Sequence, residues 1–423
     1  MKILLVQSYM GKREPAIYPI GLACIKSSLT NSEVRVFDPN TSKDPLGELQ
    51  TILLDFRPEV VGISLRNIDS TNKRTVVYYY PYLGELLSII KSVSRATVVV
   101  GGSGFSMFAA EIMQMENRID YGVYLEGESI FPALIENLHA PEQVPSIYYR
   151  KNGTVHFTGT APPCDPDRLP RPDWGILPLA AYPEKNGVGV ETKRGCALNC
   201  IYCVYGFLNG KKYRLKNPSL VVDEIVHLVT RCKAERFMFV DSVFNYPKTH
   251  AEAICREIVK RGVKVKWSAW FNEANITEEF LELVSQAGCD SIMLSPDALA
   301  DPVLKTLGKN LSRKQVIATY RLLRRFNRFD ISYNFFKNPP GQTLGNFIAI
   351  ILFCLHAKWQ MGSKVHFEFN SLRIEPHTRL FEIALGEGVI SESTSLLFPT
   401  NYVNRRTWFI GAAFDLLLAI RGR

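Results

Sequence analysis

Short apolar, β-branched runs alternate with stretches of helical spacing along nearly the whole chain. In the first third, the runs are Lys2 to Val6, Val34 to Phe37, Val60 to Ser64, Thr97 to Val100 and Tyr121 to Leu125. Runs of this length, bounded by polar or glycine-rich turns, predict strands buried on both faces. Between them, Ile20 to Leu29, Leu46 to Phe56, Tyr82 to Val93, Met107 to Met113 and Ile130 to Leu138 repeat apolar residues at helical spacing. The alternation predicts a doubly wound, Rossmann-like α/β domain over residues 1–140, with its ligand crevice at the carboxyl ends of the strands. The polar and glycine-rich stretches fall at those ends: Gln7 to Arg13, Ser64 to Asp69, Gly101 to Gly104 and Glu126 to Glu128.

Residues 141–185 read as a linker. They hold a hairpin signal, Lys151-Asn152-Gly153 between two short β-rich runs, and then a proline-rich stretch from Pro162 to Pro183. From Gly187 the alternation resumes, with strands predicted at Gly187 to Thr192, Arg236 to Val240, Lys264 to Trp267, Ser291 to Leu294, Ile331 to Phe336 and Val365 to Leu372. Helices are predicted at Leu220 to Arg231, Thr249 to Lys260, Glu278 to Ala287, Pro302 to Leu307, Arg313 to Phe326 and Leu344 to Trp359. Six such units imply a partial (β/α)6 barrel over residues 186–380, with its reactive loops on the carboxyl face. Residues 381–423 form a C-terminal extension.

Composition narrows the class only a little. The 423 residues, 46% hydrophobic and 22% charged, are ordinary for a soluble protein of two or three domains. Nine cysteines, an odd number with six of them scattered, argue against a disulfide framework and for a reducing compartment. The chain also starts on a strand rather than a signal peptide, so a cytoplasmic location is expected. A net charge of +9 raises nucleic acid as a partner, but basic residues are dispersed and the densest patch, Arg321 to Arg328, has helical spacing. A solvated helix face is the better reading, and no nucleic-acid partner is expected. The apolar tail from Trp408 to Ile420 is too short to span a bilayer. A core-docking helix is favoured, while Arg405, Arg406, Arg421 and Arg423 leave contact with a membrane surface open.

The chemistry concentrates in Cys196, Cys200 and Cys203, within Lys193-Arg194-Gly195-Cys196-Ala197-Leu198-Asn199-Cys200-Ile201-Tyr202-Cys203. Thiolates select zinc or iron–sulfur clusters, and a closed structural site asks for a fourth ligand. No further Cys or His lies within twenty residues on either side. Three ligands on a cluster leave one iron open for a small molecule.

This C-x3-C-x2-C run, with Tyr202 before the third Cys, resembles the radical S-adenosylmethionine (SAM) enzymes. The resemblance implies a [4Fe–4S] cluster on Cys196, Cys200 and Cys203, which cleaves SAM to a 5′-deoxyadenosyl radical after reduction by a donor such as a flavodoxin or ferredoxin. It places SAM contacts at Tyr202, Asp241, Ser242, Ser295, Asp297, Arg373 and Glu375, with Asn334 to Gly341 beside the adenine. For Asp241 a helix cap or turn is an equal alternative, and for Arg373 and Glu375 an ion pair closing the barrel. The first domain resembles the cobalamin-binding domain of one large branch of that family. Ser64, Gly101, Gly102, Glu126 and Gly127 are then its cobalamin residues, and the Gly pair would let backbone approach the ligand. The Asp-x-His-x-x-Gly motif common in cobalamin domains is missing, and the first His is His139, so this domain supplies no imidazole to cobalt. The implied activity is methyl transfer to an unactivated carbon or phosphorus of a small molecule or lipid. Two rivals stand beside it: a radical cyclisation or rearrangement on the same scaffold, and a non-catalytic iron–sulfur protein.

Overall fold

The computed structural model describes residues 1–12, 14–71, 76–182 and 188–420. Arg13, Gly187, Arg421 and Arg423, named above, lie outside the described residues, as does the end of the proline-rich stretch at Pro183.

The first sheet has seven strands: β1 (Lys2–Gln7), β2 (Glu33–Phe37), β3 (Val60–Ser64), β4 (Thr97–Gly101), β5 (Tyr121–Val123), β6 (Ile147–Lys151) and β7 (Thr154–Phe157). Their order is β2-β1-β3-β4-β5-β6-β7, parallel as far as β5. The 2-1-3-4-5 order reverses direction between β1 and β3, the place where such sheets open a crevice. Alternate residues of one strand enter different cores. Leu4, Val6, Val61 and Ile63 join one cluster, and Ile3, Leu5 and Val60 the other. Both faces are therefore dry, which is why these strands read as continuous apolar runs. The hairpin of the linker is antiparallel and pairs Ile147 with Val123, so it extends this sheet.

The second sheet is built from β8 (Val188–Val190), β11 (Arg236–Phe239), β12 (Lys266–Phe271), β13 (Cys289–Asp297), β14 (Asp330–Phe336) and β15 (Val365–Asn370). A two-stranded ribbon, β9 (Lys193–Arg194) with β10 (Arg214–Leu215), brackets the Cys loop. The six strands are all parallel in the order β15-β14-β13-β12-β11-β8, an open half-barrel. One face, carrying Phe237, Phe239, Trp267, Tyr333 and Phe335, packs on the helices as a single aromatic core. In-register residues of opposite parity, among them Trp270, Met293, Ser332 and Asn334, line the concave side.

The C-terminal extension is split between the two bodies. Ala384, Ile390, Leu396 and Tyr402 complete the core of the first sheet. The last helix, Trp408–Ile420, docks Ile410 and Phe414 on the half-barrel, with the Phe414 ring 4.9 Å from Phe347 and 5.0 Å from Phe369. Its Asp415 pairs with Lys337 at 2.7 Å. The helix Leu344–Met361 is long and apolar enough to cross a membrane by length and composition, and it exposes Leu344, Ile348, Leu352, Leu355 and Trp359.

Candidate active site between the two sheets

The Cys loop leaves β9 through Gly195, whose φ of +90° and close approach to Lys212 exclude a side chain. A Cβ there would lie 2.1 Å from the Lys212 carbonyl oxygen. The Cys196 N–H donates to the Gly210 carbonyl at 3.0 Å, and Ile201 N–H donates to the Leu307 carbonyl at 3.1 Å. These bonds fix the loop at its first cysteine and between its second and third. Cys196 is buried, and Cys200 and Cys203 are half-buried. Burial raises the Cys200 thiol pKa and pushes that of Cys203 up to about 12, so both thiols stay protonated until a metal displaces the proton. Among the described residues no three His, Cys, Asp or Glu side chains converge as ligands of a single ion would. A cubane does not require that, because each thiolate takes a different iron, and three thiols on one anchored loop fit three of its corners.

Beneath the loop lies a fully buried ion pair. Lys193 Nζ stands 2.7 Å from Asp241 Oδ2, with the two side chains 1% and 0% exposed. Asp241 also accepts from the Thr192 N–H at 2.8 Å and the Thr192 hydroxyl at 2.5 Å. Asp241, expected to contact SAM, is held here by protein groups. Its oxygens are committed to the strand that launches the Cys loop. Ser242 lies half-buried at the same strand end, its hydroxyl 3.5 Å from the Gly195 carbonyl.

On the other side, Tyr202 donates its hydroxyl to Asp297 Oδ2. The same oxygen accepts from Lys309 Nζ at 2.7 Å, and Lys309 also donates to the Ser295 carbonyl at 2.7 Å. Asp297 is 2% exposed and held at φ +68°. It too is engaged within the protein. Ser295 points its hydroxyl to the concave side, 3.5 Å from Asn334 Nδ2, while Asn334 Oδ1 is buried without a partner. That orphaned acceptor is a place for a ligand donor. Sequence reasoning missed Lys309, because a lone lysine in a helix-to-helix loop carries no motif.

Glu273, at the end of β12, was also unforeseen. It is 3% exposed, its Oε1 has no partner, and burial raises its pKa from the ordinary 4.5 to about 7 despite nearby Lys309. Between pH 4.5 and 7 the folded chain holds a proton that the unfolded chain has released, so this group makes stability fall as pH rises through that window. The full swing is at most about 3 kcal/mol. Glu273→Gln is expected to flatten that fall in urea unfolding of the cofactor-free protein measured between pH 5 and 7.5.

Arg373 bridges the two bodies, and Glu375 pairs with it. Arg373 Nε meets Asp69 Oδ2 of the first domain at 2.6 Å, and its Nη1 meets Glu375 at 2.5 Å. Burial nevertheless raises the Glu375 pKa to about 7. A second bridge is larger. Arg194 pairs with Glu128, Glu191 and Glu126, and Arg214 pairs with Glu126, which also accepts from the Cys164 N–H at 2.8 Å. Glu126 thus ties the domains together.

The glycines of the first domain pack against neighbouring protein. Gly102 has φ +98°, and its Cβ would lie 2.7 Å from the Leu65 carbonyl oxygen. Gly101 faces Val123, and a Cβ on Gly127 would meet Ile25 at 3.0 Å. Gly102→Val is accordingly expected to destabilise the domain by about 3 kcal/mol in the absence of any cofactor, read by urea unfolding.

What the crevice does offer stands at the carboxyl ends of β1 and β3. Ser64 ends β3, half-buried, and the next loop carries Arg66, whose buried Nη1 has no partner. A ligand rich in amide carbonyls, as cobalamin is, fits such a donor. The helix Ser103–Met107 lies against the helix Tyr205–Leu208 that follows the Cys loop, so crevice and Cys loop adjoin. An imidazole does reach this seam from the second body: His377 stacks on Phe207, with ring centroids 3.9 Å apart. Its pKa is lowered by burial and partly restored by a hydrogen bond with the Met107 backbone.

Comparison with known proteins agrees with this arrangement. The family model of the B12 binding domain matches residues 6–135, and that of the radical SAM superfamily matches residues 190–354. The chain belongs to the cobalamin-binding branch of the radical SAM superfamily. It is 25% identical over 410 residues to an uncharacterised methyltransferase of Pyrococcus horikoshii, covering 92% of this chain and 84% of that protein. It is 28% identical over 252 residues to the anaerobic magnesium-protoporphyrin IX monomethyl ester cyclase of Cereibacter sphaeroides, covering 56% of this chain and 41% of that protein. The radical S-adenosylmethionine methyltransferase TsrM of Kitasatospora setae, solved with cobalamin and a [4Fe–4S] cluster, shares the fold. Its TM-score is 0.78 at 22% identity, over 96% of this chain and 83% of that one.

Proposed function

We propose that this chain is a cobalamin-dependent radical SAM methyltransferase acting on an unactivated carbon or phosphorus of a small molecule or lipid. The observation that carries the reading is the adjacency of the three-thiol loop to the carboxyl edge of the 2-1-3-4-5 sheet. The bound cofactors supply radical generation and methyl carriage. The protein's part is to hold and enclose them. In this reading Cys196, Cys200 and Cys203 bind three irons, Ser242, Ser295 and Asn334 are left to meet SAM, and Ser64 and Arg66 meet cobalamin. Residues 1–140 form the cobalamin domain, 141–185 the linker, 186–380 the SAM barrel and 381–423 the extension. A flavodoxin or ferredoxin serves as electron donor, and the exposed apolar face of the last helix is available to a membrane surface.

Relatives named as cyclases favour a second reading, radical ring formation without methyl transfer. Product mass separates the two, since only methyl transfer adds a carbon. Anaerobic reconstitution tests the cofactors directly: the protein is expected to retain cobalamin and to cleave SAM under reduction. The cob(II)alamin electron paramagnetic resonance spectrum should show no nitrogen splitting from a protein imidazole, because no His precedes His139 in the first domain; His377 is the imidazole at the seam that the measurement tests. Splitting that disappears in His377→Ala would reverse that assignment.

A further inference from the structure

Lys309 is docked on the Cys loop from outside the cysteine motif. The Leu307 carbonyl accepts from Ile201, and Gly308, at φ +70°, brings its backbone so close that a Cβ would lie 2.2 Å from the Asn199 carbonyl oxygen. A capping box, Ser312 with Gln315, starts the next helix and keeps the connection tight. These features deliver an ammonium to Tyr202, one of the two residues between Cys200 and Cys203. Lys309 Nζ is 3.4 Å from the Tyr202 hydroxyl and 6.0 Å from its ring centroid. The side chains of Lys309 and Asp297 are 8% and 3% exposed, so water screens the charge little.

We infer that Lys309 is a positioning residue that sets the reduction potential of the centre held by the Cys loop, through a fixed positive charge locked to Tyr202 and Asp297. This rests on the reading that the loop carries an iron–sulfur cluster. Reducing a cluster adds a negative charge, and a fixed neighbouring cation stabilises the reduced form. Asp297 opposes it from the other side of the same ion pair, so removing one charge or the other is expected to act in opposite senses.

The test is a redox titration, followed by electron paramagnetic resonance, of the reconstituted full chain without substrate. Lys309→Met is expected to move the midpoint to more negative potential, because the cation is gone and the buried Asp297 takes a proton. Asp297→Asn is expected to move it the other way, leaving the cation uncompensated. Lys309→Arg should restore the wild-type midpoint. The double variant Lys309→Met/Asp297→Asn leaves no unpaired buried charge and so guards against misfolding; it should titrate at the low potential. Midpoints that all equal the wild-type value, or that all shift in one direction, overturn the inference, since loosened packing has no reason to reverse sign. A wild-type chain that takes up no cluster sinks the cluster reading itself, and the role of Lys309 with it.

Discussion

Replacing Cys200 by alanine is expected to abolish both the visible absorbance of the reconstituted cluster and SAM cleavage, while the chain stays folded. The same holds for Cys196→Ala and Cys203→Ala. The loop is held by backbone bonds at Cys196 and Ile201 and by the Tyr202–Asp297 contact, none of which uses a thiol. Loss of a sulfur therefore leaves the scaffold in place and removes one corner of the ligand set. Cys255 and Cys289 cannot substitute, because they are sealed in the helix-facing core of the half-barrel. Cys255→Ala serves as the control. It should cost about 1 kcal/mol for the small cavity and leave the cluster intact. Full SAM cleavage by an anaerobically reconstituted Cys200→Ala protein would end the radical SAM assignment.

The fold was readable in advance because both sheets obey one rule: strands covered on both faces, or packed on helices, are written as short apolar runs. Boundaries suffered where that rule weakens. The strand expected at Lys264 to Trp267 runs from Lys266 to Phe271, since Trp270 faces the concave side and breaks the helix-facing pattern. The helix expected from Met107 is two, Ser103–Met107 and Ala109–Met115, split at Phe108. The Cys loop was legible because three thiols at fixed spacing have few structural explanations. Its supports were not. Asp241, Asp297, Arg373 and Glu126 were expected to face ligands, and each is engaged in a buried or half-buried ion pair. A carboxylate at a strand end looks the same in sequence whether it meets a cofactor or a lysine 48 residues away, as Asp241 meets Lys193. Only the tertiary arrangement decides, and the unpartnered atoms of Arg66, Asn334 and Glu273 are where it leaves room.

Lys193→Met is expected to destabilise the cofactor-free chain by about 3–5 kcal/mol, the usual cost of stripping one partner from a fully buried pair. The mutation leaves the Asp241 carboxylate with Thr192 alone, in a place that water does not reach. Lys193 Nζ also donates to the Phe244 carbonyl at 3.0 Å, so the loop after β11 loses an anchor at the same time. Urea unfolding followed by circular dichroism measures the loss. The double variant Lys193→Met/Asp241→Asn should recover much of it, because no unpaired charge remains, and that recovery identifies the mechanism as electrostatic rather than steric. The single change Asp241→Asn decides what the carboxylate is for. If it served SAM, stability without cofactors would stay within about 0.5 kcal/mol of wild type, the range of substitutions that touch no structural feature. Because both of its oxygens hold the base of the Cys loop, a loss of several kcal/mol is expected in the complete absence of SAM. Reduced cluster retention should follow from it, since the strand that launches Cys196 is the one the pair holds down.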